Sequence, residues 1–147
     1  MTNAKIRHTA LTGSSMMAVA LLAALPGQAL AQNIVLGANA GDNDIRVVGT
    51  GQNGTASRVF VGESGRGTLT VQGGGTFTTS DSTYVGARPS GEGIITVTGA
   101  GSSLRVDPTL YVGFDGSGTV TASGGGAISA ANGVMLGANL AGQGSVT

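Results

Sequence analysis

The sequence predicts an all-β fold, a parallel β-helix (β-solenoid) with three short strands in each coil of about 25 residues. Three observations predict it. An aliphatic residue followed by glycine recurs at nearly constant spacing, short runs with alternating side chains lie between the glycines, and no helical periodicity appears after Leu25. Runs of three to five residues with a period of two are typical of strands and too short for helices.

The repeat carries three anchors that keep the same period. The aliphatic–glycine pair places successive glycines 25, 24, 27 and 24 residues apart, at positions 37, 62, 86, 113 and 137. A glycine followed by an alternating strand begins at Gly67, Gly93, Gly118 and Gly144, and a glycine-rich corner lies at 73–75, 99–101 and 124–126. One such unit cannot bury a face alone, so we expect each unit to be one coil of a solenoid, stacked about 4.8 Å from the next.

Stacked coils place residues about 25 positions apart in columns. We expect every inward column to be apolar, as a narrow parallel core requires. The four expected columns are Leu69, Ile95, Val120 and Val146; Val71, Val97 and Ala122; Phe77, Leu104 and Ile128; and Val61, Val85, Val112 and Leu136. Corner glycines permit positive φ. Length is expected to vary at one corner only, where the glycine spacings alternate as 5, 7, 5 and 7 residues and suggest an ancestral pair of coils.

The first 31 residues predict a secretory signal peptide. Lys5 and Arg7 give a basic start, and residues 16–25 form an apolar run. Ala29-Leu30-Ala31 matches the A-x-A pattern of small residues that precedes a signal-peptidase cleavage site. The alternative of a membrane anchor is disfavoured, because the run is too short to span a bilayer of about 30 Å. We expect signal peptidase to cleave between Ala31 and Gln32, and the export machinery to be the partner of this segment.

The composition after residue 31 limits the function. Five arginines and no lysine stand against seven acids, a net charge of −2, which argues against nucleic acid as a partner. The sole histidine, His8, lies in the predicted leader, and the sequence has no cysteine. These facts exclude Ser/His/Asp and Cys/His catalysis in the mature chain, and also disulfide stapling.

The mature chain divides into two predicted segments. Residues 32–58 keep the first anchor at Leu36-Gly37 but replace the usual corners, which predicts an irregular N-terminal coil or cap. Residues 59–147 are the repeats. The last residue, Thr147, falls inside a second strand, and we therefore expect further coils downstream, so that the chain is a truncated solenoid.

The pattern V-G-x-x-G-x-G-T-L-T-V-x-G-G-G at residues 61–75, followed by Y-V-G at 84–86, resembles the glycine-rich repeat of bacterial type V secretion proteins, the autotransporters. The same repeat occurs in some proteins with a PEP-CTERM sorting signal. The resemblance covers residues 59–147. It implies a passenger domain, a right-handed parallel β-helix, that crosses the outer membrane of a Gram-negative bacterium and is displayed at the cell surface or released outside. The resemblance also implies a C-terminal β-barrel downstream.

The acidic residues are candidate catalytic residues, because β-helices also host polysaccharide lyases and hydrolases. Glu63 and Asp115 both follow a valine–glycine pair, but they belong to coils that are not adjacent. We expect them about 10 Å apart, farther than a retaining carboxylate pair, and without a basic neighbour in register. The sequence therefore predicts solvated charges at corners, no catalytic residue, no cofactor and no enzyme.

The run Asp42-Asn43-Asp44 has ligand-type side chains at alternate positions. It lacks the glycine and the distal glutamate of a calcium-binding loop. We expect a turn in which these side chains accept local backbone hydrogen bonds, and no metal site.

Two outward arrays remain. Threonines repeat in two rows, the first with Thr68, Thr119 and Ser145 and interrupted by Ile94, the second with Thr70, Thr96, Thr121 and Thr147. Such rows resemble ice-binding β-solenoids, although threonine also suits solvated strands. Phe60, Tyr84, Tyr111 and Met135 form a ladder, predicted to stack along the solenoid, with a sticky stripe for adhesion as the alternative.

These observations favour an exported, surface-displayed, non-catalytic β-helical passenger with a structural or adhesive role and an unidentified host or cell-surface ligand. Two alternatives stay open. One is the N-terminal part of a polysaccharide-active enzyme whose site lies downstream of residue 147. The other is an ice-binding solenoid.

Overall fold

The computed structural model describes residues 32–147, which form a β-solenoid of about five turns with three strands per coil. The predicted signal peptide lies outside the described residues. Coil 1 contains β1 (Ile34–Leu36), β2 (Asn43–Val48) and β3 (Asn53–Ala56). Coil 2 contains β4 (Val59–Val61), β5 (Arg66–Gln72) and β6 (Thr76–Thr79), and coil 3 contains β7 (Thr83–Val85), β8 (Glu92–Thr98) and β9 (Ser103–Val106). Coil 4 contains β10 (Leu110–Val112), β11 (Ser117–Ser123) and β12 (Ala127–Ala130), and coil 5 contains β13 (Val134–Leu136) and β14 (Gln143–Val146).

Equivalent strands of successive coils form three parallel sheets, here called walls. Wall 1 is β1-β4-β7-β10-β13, wall 2 is β2-β5-β8-β11-β14, and wall 3 is β3-β6-β9-β12. Neighbouring strands pair residue for residue without a register slip. The all-β, parallel, three-stranded coil predicted from the repeat is therefore confirmed.

The predicted columns form the core. Leu69, Ile95 and Val120 are paired in register and at most 1% exposed. Alternation explains this burial, because every second residue of each wall 2 strand points between the walls. The column continues to Val146 in the last coil, where the side chain is 47% exposed.

The expectation that every column is apolar is wrong for two buried threonines in neighbouring columns, and also for Arg46 in coil 1. Thr79 and Thr83 are buried at 1% and 0% exposure. Thr83 lies in the column between Val59 and Leu110. Its hydroxyl donates to the hydroxyl of Thr79 at 3.3 Å, so each buried oxygen has a polar partner inside the core.

The glycines of each coil have two different roles. Gly62 ends wall 1 with a φ of +72°, which a residue with a side chain rarely adopts. Gly93, by contrast, is needed for close approach: a Cβ there would lie 2.1 Å from the carbonyl oxygen of Val61 in the preceding coil. Positive φ at corners is therefore only half of the explanation for the glycine content.

The corner between walls 1 and 2, here called the first corner, alternates in length as predicted. Register shows that coil 1 has the long form too, since Asp44 takes the position of Gly67. The prediction that length varies at this corner alone is wrong. Coil 3 has one extra residue between walls 2 and 3, because Gln72 aligns with Thr98 but Thr76 aligns with Ser103.

Residues 32–58, for which the sequence predicts an irregular coil or cap, contribute one strand to each wall in register. The difference lies in the inward residues. Arg46 stands where the next coil has Leu69, and Gly54 stands where it has Phe77. The guanidinium of Arg46 lies 5.2 Å from the centre of the Phe77 ring, in cation–π contact. Partial burial lowers the pKa of this guanidinium from its usual value.

Candidate functional site on the outer faces

The outer face of wall 1 is a continuous aromatic ladder. Each wall 1 strand has three residues, of which only the middle one points outward. The rings of Phe60 and Tyr84 stack with centroids 5.1 Å apart and an interplanar angle of 15°, and those of Tyr84 and Tyr111 with centroids 4.9 Å apart and an angle of 8°. Val35 and Met135 extend the row at its two ends. The predicted stacking is confirmed.

Phe114 is a member of this cluster that the sequence did not single out. Its ring meets those of Tyr84 and Tyr111 edge-on, at 5.3 and 5.4 Å. The available signal was its position directly after Val112-Gly113, where a short first corner brings the chain back beside wall 1. Coil 2 has Glu63 at the equivalent place.

The stacking limits what the ladder can bind. The ring faces of Tyr84 are both occupied, one by Phe60 and the other by Tyr111. A ligand therefore meets ring edges and hydroxyl groups rather than the electron-rich faces that bind cations. The ladder is built to join successive coils, which fits the prediction that it stiffens the solenoid.

The outer face of wall 2 carries the threonine rows. The first row is Ile45, Thr68, Ile94, Thr119 and Ser145, and the second contains Val47, Thr70, Thr96 and Thr121. Ile94 interrupts the hydroxyl groups of the first row, whereas the threonines of the second row are consecutive from coil 2 to coil 4. Ile45 and Val47 make coil 1 apolar in both rows, so the hydroxyl array begins only at coil 2.

The charged residues at the corners are paired across coils. Glu63 Oε1 accepts hydrogen bonds from the Arg88 guanidinium at 3.2 Å. Arg88 is a basic partner that the sequence did not predict, because it occupies a different position of the repeat and is not in register with Glu63. Asp115 instead accepts from the Asn139 side-chain amide at 2.8 Å. The two carboxylates therefore have separate partners in adjacent coils, an arrangement that links coils rather than one that forms a catalytic pair.

A second ion pair lies where wall 3 turns into wall 1. The pKa of Asp81 is lowered from its usual value, chiefly because the backbone N–H of Ser82 donates to Oδ1 at 2.6 Å. Partial desolvation opposes this shift, and Arg58, whose Nη2 lies 2.5 Å from Oδ2, reinforces it. Arg66 and Glu92 form a looser contact at 3.5 Å on wall 2.

The prediction that Asp42-Asn43-Asp44 forms a turn is wrong in its position: the turn covers residues 39–42, with the Asp42 N–H donating to the Asn39 carbonyl at 3.1 Å, and Asn43 and Asp44 begin β2. The predicted local backbone hydrogen bonds to the carboxylates are present. Asp42 Oδ2 accepts from the Asn39 backbone N–H at 2.8 Å and from the Asn39 side-chain amide at 3.1 Å. Asp44 Oδ2 accepts from the Gly37 N–H at 2.9 Å. Both carboxylates are engaged by local donors.

Three other kinds of feature bear on function within residues 32–147: a metal-binding cluster, a membrane-spanning helix and a cavity. In this part of the chain no three or more His, Cys, Asp or Glu side chains are placed to hold a metal ion. Nor does it contain a helix long and apolar enough to cross a membrane. An open depression of about 500 Å³ lies at the last two coils, lined by small and uncharged residues that include Ser117, Thr119 and Gln143. Such a lining supplies no general acid or base.

The predicted cleavage site is only partly within the structure. Ala31 lies outside the described residues, and Gln32 is the first residue described and is exposed. Cleavage between them remains a prediction. No protein-family model, curated protein or solved structure matches this chain.

Proposed function

We propose that this protein is an exported, surface-displayed and non-catalytic β-solenoid, the passenger of an autotransporter-like protein, with a structural or adhesive role. The observation that carries the proposal is the unbroken stacking of equivalent residues along each wall, on the outside as well as in the core. The ladder of Phe60, Tyr84 and Tyr111 continues the core register at the surface.

The polar contacts support a structural role. The hydrogen-bonded ion pairs Arg58–Asp81 and Arg88–Glu63 each join residues 23 to 25 positions apart, which lie on successive coils. Backbone ladders, stacked rings and corner charges all act along the solenoid axis. A solenoid stabilised by contacts along its axis is suited to present its outer walls at a distance from the cell surface.

Export is tested by expressing the gene in a Gram-negative host with its own leader and with the β-barrel that we expect downstream of residue 147. We expect the mature protein to begin at Gln32 and to be degraded by protease added to intact cells. Replacing Ala31 by arginine removes the small residue before the predicted cleavage site and should leave the precursor uncut. Protein that stays in the cytoplasm with residues 1–31 attached would contradict the proposal.

Ice binding is a second candidate, supported by the register of Thr70, Thr96 and Thr121, which lie directly above one another on wall 2. The measurement is thermal hysteresis of the purified protein. Thr96→Lys should abolish any activity, whereas Thr78→Lys, on the exposed face of wall 3, should leave it unchanged. A wild-type protein without hysteresis removes this candidate.

The rival enzyme hypothesis places catalytic coils downstream of Thr147. It is tested by reading the gene beyond that codon: a wall rich in acids in the following coils would favour a polysaccharide-active enzyme over a display protein.

A further inference from the structure

Two asparagines of this chain are followed by glycine, and the structure places them in different surroundings. Asn53-Gly54 begins β3, whereas Asn132-Gly133 lies between β12 and β13. An asparagine before glycine can lose its side-chain amide, because the next backbone nitrogen lies near the amide carbon and glycine has no Cβ to shield that nitrogen. How readily each pair reacts then depends on how firmly the fold holds it.

Asn53 and Gly54 are held by the sheet. They pair in register with Thr76 and Phe77 of β6, and Asn53 Oδ1 accepts a hydrogen bond from the Thr76 hydroxyl at 2.5 Å. A Cβ on Gly54 would overlap the Phe77 ring, so this glycine is packed against the core. The Gly54 nitrogen reaches the Asn53 amide carbon only if the backbone between them rotates, and the pairing of β3 with β6 has to open first.

Asn132 and Gly133 occupy the corner between wall 3 and wall 1, here called the third corner, and both are exposed. Gly133 has a φ of +101°, and no neighbour lies within 4 Å of an added Cβ. Its N–H donates to the Ala130 carbonyl at 3.2 Å, the long end of the normal range, and its carbonyl accepts from Leu110 at the same distance. Freeing the Gly133 nitrogen therefore breaks one long hydrogen bond within the corner and leaves the strand pairing of the walls in place.

The exposure of this position does not depend on how many coils follow it. Asn132 is the middle residue of its corner, as Asp81 and Pro108 are of the third corners that follow coils 2 and 3. Those two corners have a coil on each side, yet Asp81 and Pro108 are half-buried rather than buried. The middle residue of a third corner therefore stays at the surface when further coils stack on it.

We propose that Asn132 is a site of spontaneous deamidation, whereas the fold protects Asn53. The Gly133 nitrogen gives up its proton to hydroxide and attacks Cγ of Asn132. The new N–Cγ bond closes a succinimide ring, and the Cγ–Nδ2 bond breaks as the amide takes a proton from water and leaves as ammonia. Water then opens the ring at either carbonyl and leaves aspartate or isoaspartate at position 132. The reaction needs neither an enzyme nor an oxidant.

The product adds charge to a stretch that has none, because residues 116–147 contain no Asp, Glu, Lys or Arg. The isoaspartate form also lengthens the backbone path through the third corner. This corner already differs in length, since it has two residues after coil 1 and three after coils 2, 3 and 4. We therefore expect the modified protein to stay folded and to become more acidic as it ages.

The test incubates the purified protein at mildly alkaline pH, once folded and once in urea. Trypsin then separates the two sites, because Asn53 lies in the peptide 47–58 and Asn132 in the peptide 106–147. Mass spectrometry and enzymatic methylation of isoaspartate measure the conversion of each. Asn132→Gln is the test variant, because glutamine closes the corresponding larger ring far more slowly. Asn139→Gln is the matched control, since Asn139 lies in the same peptide but precedes leucine. Circular dichroism establishes that both variants keep their strands.

In the folded protein we expect Asn132 to convert at least about tenfold faster than Asn53, equivalent to about 1.4 kcal/mol in activation free energy. In urea the two rates should become similar. Asn132→Gln should remove the conversion from the peptide 106–147, and Asn139→Gln should leave it unchanged.

Three results overturn the proposal: equal rates at the two sites in the folded protein, an Asn132 that converts only in urea, or conversion that persists in Asn132→Gln. A rate ratio that stays the same in urea also overturns it, because the local sequence rather than the fold then sets the difference. The proposal does not depend on export or surface display.

Discussion

Gly93→Ala should be one of the most damaging single-atom additions to this solenoid. The new Cβ would lie 2.1 Å from the Val61 carbonyl oxygen and 2.6 Å from the Gly86 nitrogen, both of them backbone atoms. Reaching even the 3.0 Å limit for real contacts requires a shift of 0.9 Å between coils. The hydrogen bond from Gly86 N to Val61 O, now 2.8 Å long, lies in the path of that shift.

The expected destabilisation combines two effects. Overpacking against a rigid wall costs about 1–3 kcal/mol, and the lost hydrogen bond about 1 kcal/mol more, which gives about 3 kcal/mol. Urea unfolding followed by circular dichroism measures it. Gly41→Ala is the contrasting variant: unlike Gly93, Gly41 has a positive φ, of +93°, but no neighbour lies within 4 Å of the added atom, so about 1–2 kcal/mol is expected from the backbone alone. Equal stability of Gly93→Ala and the wild type would refute the close-packing explanation.

Three further predictions concern the core and one corner. Ile95→Ala removes a fully buried side chain from the middle of a column and should cost about 2–5 kcal/mol in unfolding free energy; a loss below about 1 kcal/mol would mean that the column is not packed. Thr83→Val leaves the buried Thr79 hydroxyl without its partner and should cost about 1–3 kcal/mol, whereas changing both residues to valine should restore most of that loss in the same assay. Asp81→Asn should lower the urea midpoint at pH 7 but not at acid pH. A carboxyl whose pKa is lowered by folding contributes its full stability above its ordinary pKa of about 4. That contribution is lost as the pH falls through the lower pKa of the folded state. A difference between Asp81→Asn and wild type that does not change with pH would contradict that account.

The sequence was sufficient to predict the strands, their parallel stacking and most core columns, because all three follow from one period. Once Leu69 and Ile95 are aligned by their glycines, every neighbour on the same strand is aligned with them. The outward ladder of Phe60, Tyr84 and Tyr111 followed for the same reason. Periodicity fixes register, and register fixes which side chains face the core.

Contacts that depend on corner geometry were not predictable in this way. The pairing of Glu63 with Arg88 joins a short corner to a long one, so their side chains meet although the two residues occupy different positions in the repeat. Phe114 reaches the ladder from such a corner. The buried Thr79 and Thr83 pair was missed because threonine is isosteric with valine and fits a column equally well by shape.

The alternating first corner also gives the solenoid a corrugated side. In coils 1, 3 and 5 the long corner closes a reverse turn, with backbone hydrogen bonds from Asp42 to Asn39, from Gly91 to Arg88 and from Gly142 to Asn139. These turns form teeth two coils apart, at about 9.6 Å from the strand spacing, and the short corners of coils 2 and 4 are the gaps between them. Gain or loss of a pair of coils would therefore change the length of the solenoid by one tooth and keep the alternation of long and short corners. Gain or loss of a single coil would instead place two long corners, or two short corners, next to each other.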